Sequence, residues 1–387
     1  MAVPNTRADD SSTQIALIET DETQLNKALQ RLETFLRIFG FCQNSPLSFI
    51  LSWAAFLLVG VAVPVLVIEL SYCSDCEKYE IKSFELEILI FESLVAAVSL
   101  ICISHNLRKY GMRRFLFVDR HHGHMTQFRY DYIEKINGFF RLLAVWVLPC
   151  FLVKTVREVV RVIYVHNDPW WQSVAILFAL LASWTYSTMI FLSASALFNL
   201  VCNLQVIHFE NYGKLLERDV NVVLYIEEHF RLKHYLSKIS HRFRIYLILV
   251  FLVVTASEFV ALLQTTGNHD IITFINGCDF AISSVVLLVG LILCLNAAAK
   301  ISHRAQSLAS VASRWHALVT CTTNDTSQSG TSSNSVNLDS ANPVIPLSVN
   351  YSESDLESVD YVPVPTTTQL ASSMSLYQKR QAVVLGK

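Results

Sequence analysis

Two carboxylates stand inside otherwise apolar, helix-length runs, Glu258 in the stretch from 245 to 265 and Asp279 in the stretch from 271 to 298. A charge at the centre of a bilayer costs about 2.5–3.5 kcal/mol on insertion scales, so such groups persist where they bind something or orient neighbouring helices. Counted from the short segment 266–270 between the two runs, each lies about eight residues deep, on the order of 12 Å at the α-helical rise. The pair is therefore expected at one level, facing each other. Asn276, Asp279 and Ser283 recur at spacings of three and four, which gathers them on one helix face. Glu258, Asn276, Asp279 and Ser283 thus form a candidate intramembrane site for a cation or ligand. The bland alternative is a protonated or hydrogen-bonded pair that orients helix packing.

A second constellation sits where other apolar runs begin and end. Lys154, Arg157, Glu158 and Arg161 close one run, and Glu85, Glu87 and Glu92 open another. Opposite charges at one end of two spans suit interhelical ion pairs, although long side chains at a membrane edge also snorkel to water. Trp170, Trp171, Trp184 and Tyr186 cluster at the start of the next run, where an aromatic belt is ordinary. Trp184, Tyr186 and Ser187 lie deeper, as an amphipathic wall for a small organic ligand would. Glu92, Lys154, Arg157, Trp184, Tyr186 and Ser187 are the candidate outer pocket.

Cys73 and Cys76 fall in a polar loop, while the other cysteines lie mostly in apolar runs. A disulfide or paired structural role is expected of the two, because a lone C-x-x-C lacks the second ligand pair of a zinc site. His121, His122 and His124 read as a solvated loop without a complete coordination set. No phosphate-binding loop, nucleophile elbow, H-E-x-x-H or set of spaced histidine boxes occurs. No catalytic residue, metal or cofactor is expected, and the chain does not read as an enzyme.

The elements that position these residues are six apolar segments, at about 47–70, 88–106, 139–163, 174–207, 245–265 and 271–298. About 20 apolar residues cross a hydrocarbon core of about 30 Å. Of the 387 residues, 52% are hydrophobic and 16% charged, against about 25% charged in an average soluble domain. The expected fold is all-α, a polytopic transmembrane bundle with the lipid bilayer as its main partner. With a net charge of −2 and no interleaved basic and aromatic patches, a nucleic-acid partner is excluded.

The fourth run is long enough to leave the membrane, and 210–244 and 300–320 are also helix-compatible, so helical extensions beyond the bilayer are expected. Lys and Arg concentrate in 107–138 and 208–244, which places both loops and both termini in the cytoplasm. Residues 1–22 read as disordered, 23–46 as an amphipathic cytoplasmic helix, 47–320 as the transmembrane domain with its extensions, and 321–374 as a disordered Ser/Thr-rich tail.

The stretches RLETFLRIFGF, LRKYGMRRFLFVD, WTYST, LQVIHFEN, EEHFRLKHYLSKISHRFR and KISHRAQSLASVASRWHALVTC together resemble the plant gustatory-receptor-like family, long described as a domain of unknown function. The resemblance runs from about Leu32 to Cys321 and resumes from Val359 to Ala382. That family is similar in architecture to insect odorant and gustatory receptors, tetrameric ligand-gated cation channels with seven helices and an inward N-terminus. The resemblance implies an outer-half ligand pocket, a cytoplasmic anchor of extended helices, and a homo- or hetero-oligomer, tetrameric by analogy. After SLYQKRQA the family continues into a seventh span, whereas here VVLGK follows. Residues 375–387 read as a remnant of that last helix, through an internal deletion, alternative splicing or a misread gene.

Two functions follow as expectations. One is a subunit of a receptor-type channel, with its pore in question in this form. The other is a non-conducting membrane regulator or scaffold acting through its cytoplasmic helices and the segment around Ser352, Ser354 and Ser358. No internal symmetry of the transporter kind is visible. Plasma membrane and endomembrane both remain open.

Overall fold

Apolar runs of 24 to 41 residues form six helices long enough to cross a membrane: Pro46–Glu69, Glu85–Tyr110, Tyr130–Ile163, Trp170–Glu210, His234–Gln264 and Gly277–Ser307, here spans 1 to 6. The computed structural model describes residues 7–43, 45–70, 82–116, 129–165, 170–216, 222–267 and 274–325, and no strand occurs among them. The chain is a multi-pass, all-α integral membrane protein. Alternation of the spans places residues 69, 85, 163, 170, 264 and 277 at one end of the bundle.

The distribution of exposure fits a lipid surround. Leu47, Leu152, Trp170 and Phe178 are 76%, 64%, 79% and 66% exposed, while Arg157 and Glu158 are 1% exposed. In a water-soluble domain charged groups are almost never this buried and apolar side chains seldom this open. Hydrocarbon reverses the preference, because it solvates the leucines and forces ionic groups inward to one another.

Ahead of span 1, helix α1 covers Arg7–Ile38. It starts well before residue 23, so the expected disordered segment to residue 22 is corrected. Residues 7–22 contain neither Gly nor Pro, and Ala8, Ala16, Leu17 and Glu19 favour the helix. Leu25, Leu29, Leu32 and Leu36, at helical spacing, are buried along one stripe. That face lies against the third span's helix, where Phe35 meets Phe139 and Phe140 edge-on, with ring centroids 5.8 and 5.5 Å away.

The turn out of α1 rests on Gly40, at φ +80°, which lets the Phe41 amide reach back to the Leu36 carbonyl at 2.9 Å. The Gly40 carbonyl accepts bonds from Ser52 Oγ at 2.8 Å and Gln43 Nε2 at 3.0 Å. These bonds tie the elbow to span 1.

Within span 1, Phe56–Ala62 is π-helical between α-helical Pro46–Ala55 and Val63–Leu70. The Val63 amide accordingly bonds to the Leu58 carbonyl, five residues back. Pro64 has no amide hydrogen to offer, so an undisturbed α-helix would fail at this position.

Span 4 carries small residues at its most enclosed level, with Ser193, Ala194, Ser195 and Ala196 at most 1% exposed. Small side chains let membrane helices approach closely. Tyr246 of span 5, fully buried, lies 3.1 Å from Ser195 Oγ through its hydroxyl. At Gly290 of span 6, an added Cβ would stand 2.3 Å from the Phe191 ring, so only a bare backbone fits.

The helices that contain spans 4, 5 and 6, Trp170–Leu216, Val222–Gly267 and Phe274–Asp325, are 47, 46 and 52 residues long. At 1.5 Å per residue these are about 70 to 78 Å, more than twice a hydrocarbon core of about 30 Å. The described helix of the last of these continues five residues beyond the expected boundary at 320.

The chain divides into two units, one of 1–207 with 242–300, the other of 208–241 with 301–387. The first holds the apolar packing described above. In the second, Glu210 and Arg304 form an ion pair at 2.9 Å, and Leu232, His234, Lys238 and Ile239 are buried.

Candidate functional site

Lys154, Arg157, Glu158 and Arg161 follow at helical intervals of three, four and seven, so span 3 presents all four from one face. Each is at most 7% exposed. Facing them are Glu85, the first residue of span 2, and Asp279 near the start of span 6, each 5% exposed.

The pairing is dense. Arg157 donates to Glu85 and, at 2.6 Å, to Glu158 Oε1, and lies 3.6 Å from Asp279. Lys154 is hydrogen-bonded to Asp279 and stands 3.3 Å from Glu158. Arg161 reaches Glu85 at 3.1 Å and Glu158 at 3.8 Å. Of the charges at these span ends, Lys154, Arg157 and Arg161 form interhelical ion pairs with Glu85 and Asp279, whereas Glu87 and Glu92 accept hydrogen bonds from neutral side chains.

One helical repeat deeper the same faces continue. Glu92 lies seven residues after Glu85 and Ser283 four after Asp279. Ser283 Oγ donates to Glu92 Oε1 at 2.6 Å, and Trp184 Nε1 donates to the same oxygen at 3.3 Å. Spans 2, 4 and 6 therefore converge on this carboxylate.

A cavity of about 50 Å³, room for about four water molecules, opens beside these groups. Its polar walls are Glu85, Glu92, Lys154, Arg157, Glu158, Arg161, Ser183, Trp184, Ser187 and Asp279, and its apolar walls are Pro64, Ile68, Ile88, Leu89 and Leu180. Ser187 is 5% exposed, and its hydroxyl has no hydrogen-bond partner among the described residues. A Cβ at Gly60 would come within 3.3 Å of that hydroxyl, so the π-helical stretch of span 1 closes over Ser187 at short range. A smaller space of about 20 Å³ lies on the other side of Glu92, against Ser257, Gln264, Ser283 and Ser284, with Gln264 bonded to Glu87.

The structure divides the two residue sets differently from their sequence grouping. Asp279 and Ser283 do not join Glu258; they join Glu92, Lys154, Arg157 and Trp184. Glu258 instead accepts a bond from Ser284 Oγ at 2.8 Å. Neighbours on a helix point about 100° apart, so Ser283 and Ser284 send span 6 toward different partners. This corrects the expected pairing of Glu258 with Asp279. The side chain of Asn276 lies outside the described residues, as do Cys73 and Cys76.

Of the outer-pocket set, Glu92, Lys154, Arg157, Trp184 and Ser187 line one cavity. Tyr186 does not; its ring stacks on Phe39 at 6.2 Å, toward α1. Glu85, Glu158, Arg161, Ser183 and Pro64 complete the site. The first three announce themselves as charges at span ends, and Pro64 as a proline within an apolar run. Ser183 carries no such signal.

The sequence profile of the family described as protein of unknown function, DUF3537, matches residues 27–385. The chain belongs to that family. The match takes in α1 from residue 27 onward and all six spans, so every residue of the cavity falls within the family's extent. No curated protein and no solved structure matches the chain.

Proposed function

We propose that this chain is the ligand-binding subunit of a membrane receptor of the gated-cation-channel kind, with its small organic ligand seated in the cavity among spans 1, 2, 3, 4 and 6. The observation that carries this reading is the unpartnered Ser187 hydroxyl in a cavity walled on one side by ion pairs and on the other by aliphatic side chains. Ser99, Thr185 and Ser193 also bury hydroxyls without a partner among the described residues, but of these four only Ser187 lines the cavity. The resemblance to the plant gustatory-receptor-like family supports the same reading, together with inward termini and a tetrameric assembly that conducts only with its pore helices in place. The lack of catalytic motifs argues against an enzyme.

The test uses the full chain in lipid nanodiscs, screened against small organic compounds for saturable thermal stabilisation, then expressed with longer members of the family for current recording. A ligand that stabilises the chain, loses that effect in Ser187→Leu and evokes cation current in the co-expressed assembly supports the proposal. A correctly inserted, oligomeric protein that binds none of the compounds and stays electrically silent overturns it.

A second reading has its own observation. The three helices of 46 to 52 residues reach far past any bilayer and contribute to a separate compact unit. A non-conducting regulator would use that unit to hold a partner, and partner capture that survives Glu258→Gln and Asp279→Asn would favour it.

A further inference from the structure

Among the described residues, the formal charges that line the cavity do not balance. Lys154, Arg157 and Arg161 supply three positive charges, and Glu85, Glu92, Glu158 and Asp279 supply four negative ones. The ion pairs account for three of those carboxylates: Glu85 with Arg157 and Arg161, Glu158 with all three cations, Asp279 with Lys154 and Arg157. Among the described residues Glu92 is the carboxylate of this wall that forms no ion pair; Lys154 acts on it from beyond ion-pair distance, and its bonds come from the neutral donors Ser283 and Trp184.

From this imbalance we infer that the cavity binds a small organic ammonium ion, its charged nitrogen between Glu92 and Ser187 and its alkyl part against Pro64, Ile68, Ile88, Leu89 and Leu180. The inference rests on the receptor reading above and names the ligand class for the same cavity.

Each part of such a ligand finds its complement. An alkylammonium brings one positive charge and three N–H donors. Glu92 in its carboxylate form supplies the opposite charge, and the Ser187 hydroxyl supplies an acceptor that no described protein group uses. The apolar walls solvate a short chain and would gain nothing from a bare metal ion. The other three carboxylates are also tied up individually with arginine and lysine, and among the described residues no group of three or more His, Cys, Asp or Glu is placed to hold a metal. An anionic ligand would meet cations already saturated by Glu85, Glu158 and Asp279, and would add a second excess negative charge.

Size sets a further limit. About 50 Å³ of room suits an amine of about four heavy atoms and no drug-sized molecule, whose pockets run to several hundred Å³.

The probe is radiolabelled n-propylammonium at pH 7, where an amine with a lysine-like pKa is charged. Equilibrium dialysis against the full chain in nanodiscs is compared with competition by n-propanol, propionate and sodium. The inference predicts saturable binding with Kd of about 1 mM or tighter, undiminished by equimolar n-propanol, propionate or sodium. It further predicts at least a tenfold loss of affinity in Glu92→Gln and a smaller loss in Ser187→Ala, both variants eluting as the parent does and keeping its helicity.

Equal competition by n-propanol overturns the ammonium assignment and leaves a small-molecule receptor standing. Sodium displacing the probe at equal concentration overturns the organic part of it. Retained affinity in both variants places the probe elsewhere, and absence of saturable binding to the parent chain likewise overturns the inference. The receptor reading is decided separately, by the compound screen with Ser187→Leu.

Discussion

Ser283 Oγ donates to Glu92 Oε1 at 2.6 Å, a bond that spans 191 positions of sequence and joins span 6 to span 2. One residue further on, Ser284 donates to Glu258 of span 5. Span 6 thus distributes consecutive hydroxyls to two different carboxylates, and only the first of these stands at the charged cavity. The consequence is an asymmetry among the intramembrane acids: Asp279 and Glu92 share a wall, whereas Glu258 belongs to the packing of spans 5 and 6.

Arg157 is the hub of the ion-pair network, with Glu85, Glu158 and Asp279 all within reach. Arg157→Ala leaves three carboxylates facing one another with, among the described residues, Lys154 and Arg161 to offset them. The expected loss is about 3–5 kcal/mol, the usual consequence of removing one partner from a buried pair. Chemical denaturation in bicelles measures it. The double variant Arg157→Met with Glu85→Gln is expected to recover part of that loss, since it removes charges of both signs together.

Gly290 meets the Phe191 ring so closely that a methyl group cannot be added without moving the ring. Gly290→Ala should cost about 1–3 kcal/mol through overpacking, despite the better helix propensity of alanine. Adding Phe191→Leu should restore most of the stability by vacating the space. Thermal unfolding of the two variants against the parent is the comparison, and an unchanged midpoint in Gly290→Ala would show that the two helices do not approach as described.

Gly40 combines a left-handed backbone with a near contact: a Cβ there would lie 2.2 Å from Ser52 Oγ. Gly40→Ala therefore carries about 1–2 kcal/mol of backbone strain and displaces the serine that ties the elbow to span 1. Accelerated amide exchange at Phe41 and in the last turn of α1 is the expected signature. Gly111, also at positive φ but with open space where a Cβ would go, should show the strain alone.

Cys42 lies outside the spans, at the elbow. Its burial, reinforced by the neighbouring Glu33 carboxylate and opposed by Arg37, pushes the thiol from 9.0 up to about 11. In the native state it stays protonated after an unfolded chain would have lost the proton. Stability contributed by the neutral thiol is therefore full below pH 9 and falls as pH rises from 9 toward 11. Maleimide labelling at pH 8, compared with Cys42→Ser to isolate this thiol, should be slow until the protein is denatured.

How far these features are legible in sequence depends on what each requires. Six spans are readable because about 20 apolar residues in a row have few other uses. The helix rotations are not readable, and rotation decides partners. Counting from 266–270 puts Glu258 and Asp279 at matching depths, yet Lys154 and Arg157 take Asp279, and Ser284, five residues further along span 6, takes Glu258. Tyr186 follows Trp184 by two positions, so it faces away from Trp184 on the helix and reaches Phe39 instead. The four charges of span 3 show their shared face through spacing alone, and that part of the site is foreseeable. Ser183 looks like any serine of a membrane helix, and only the packing reveals it as a wall of the cavity.

The π-helical stretch of span 1 has one more implication. Such a stretch holds about one residue more than an α-helix of the same rise, and each α-helical residue turns the helix by about 100°. Span 1 thus contains a spare residue. Deleting a single position within 56–62 would relax the segment to a plain α-helix and leave Ser52 at the elbow and Pro64 at the cavity, each on its present side. Deleting one between Pro64 and Ile68, where span 1 is plain α-helix, would set those two cavity residues about 100° out of phase and turn one of them away from the cavity. Relatives of this chain that differ in length within span 1 should therefore differ at that stretch and nowhere else in the span.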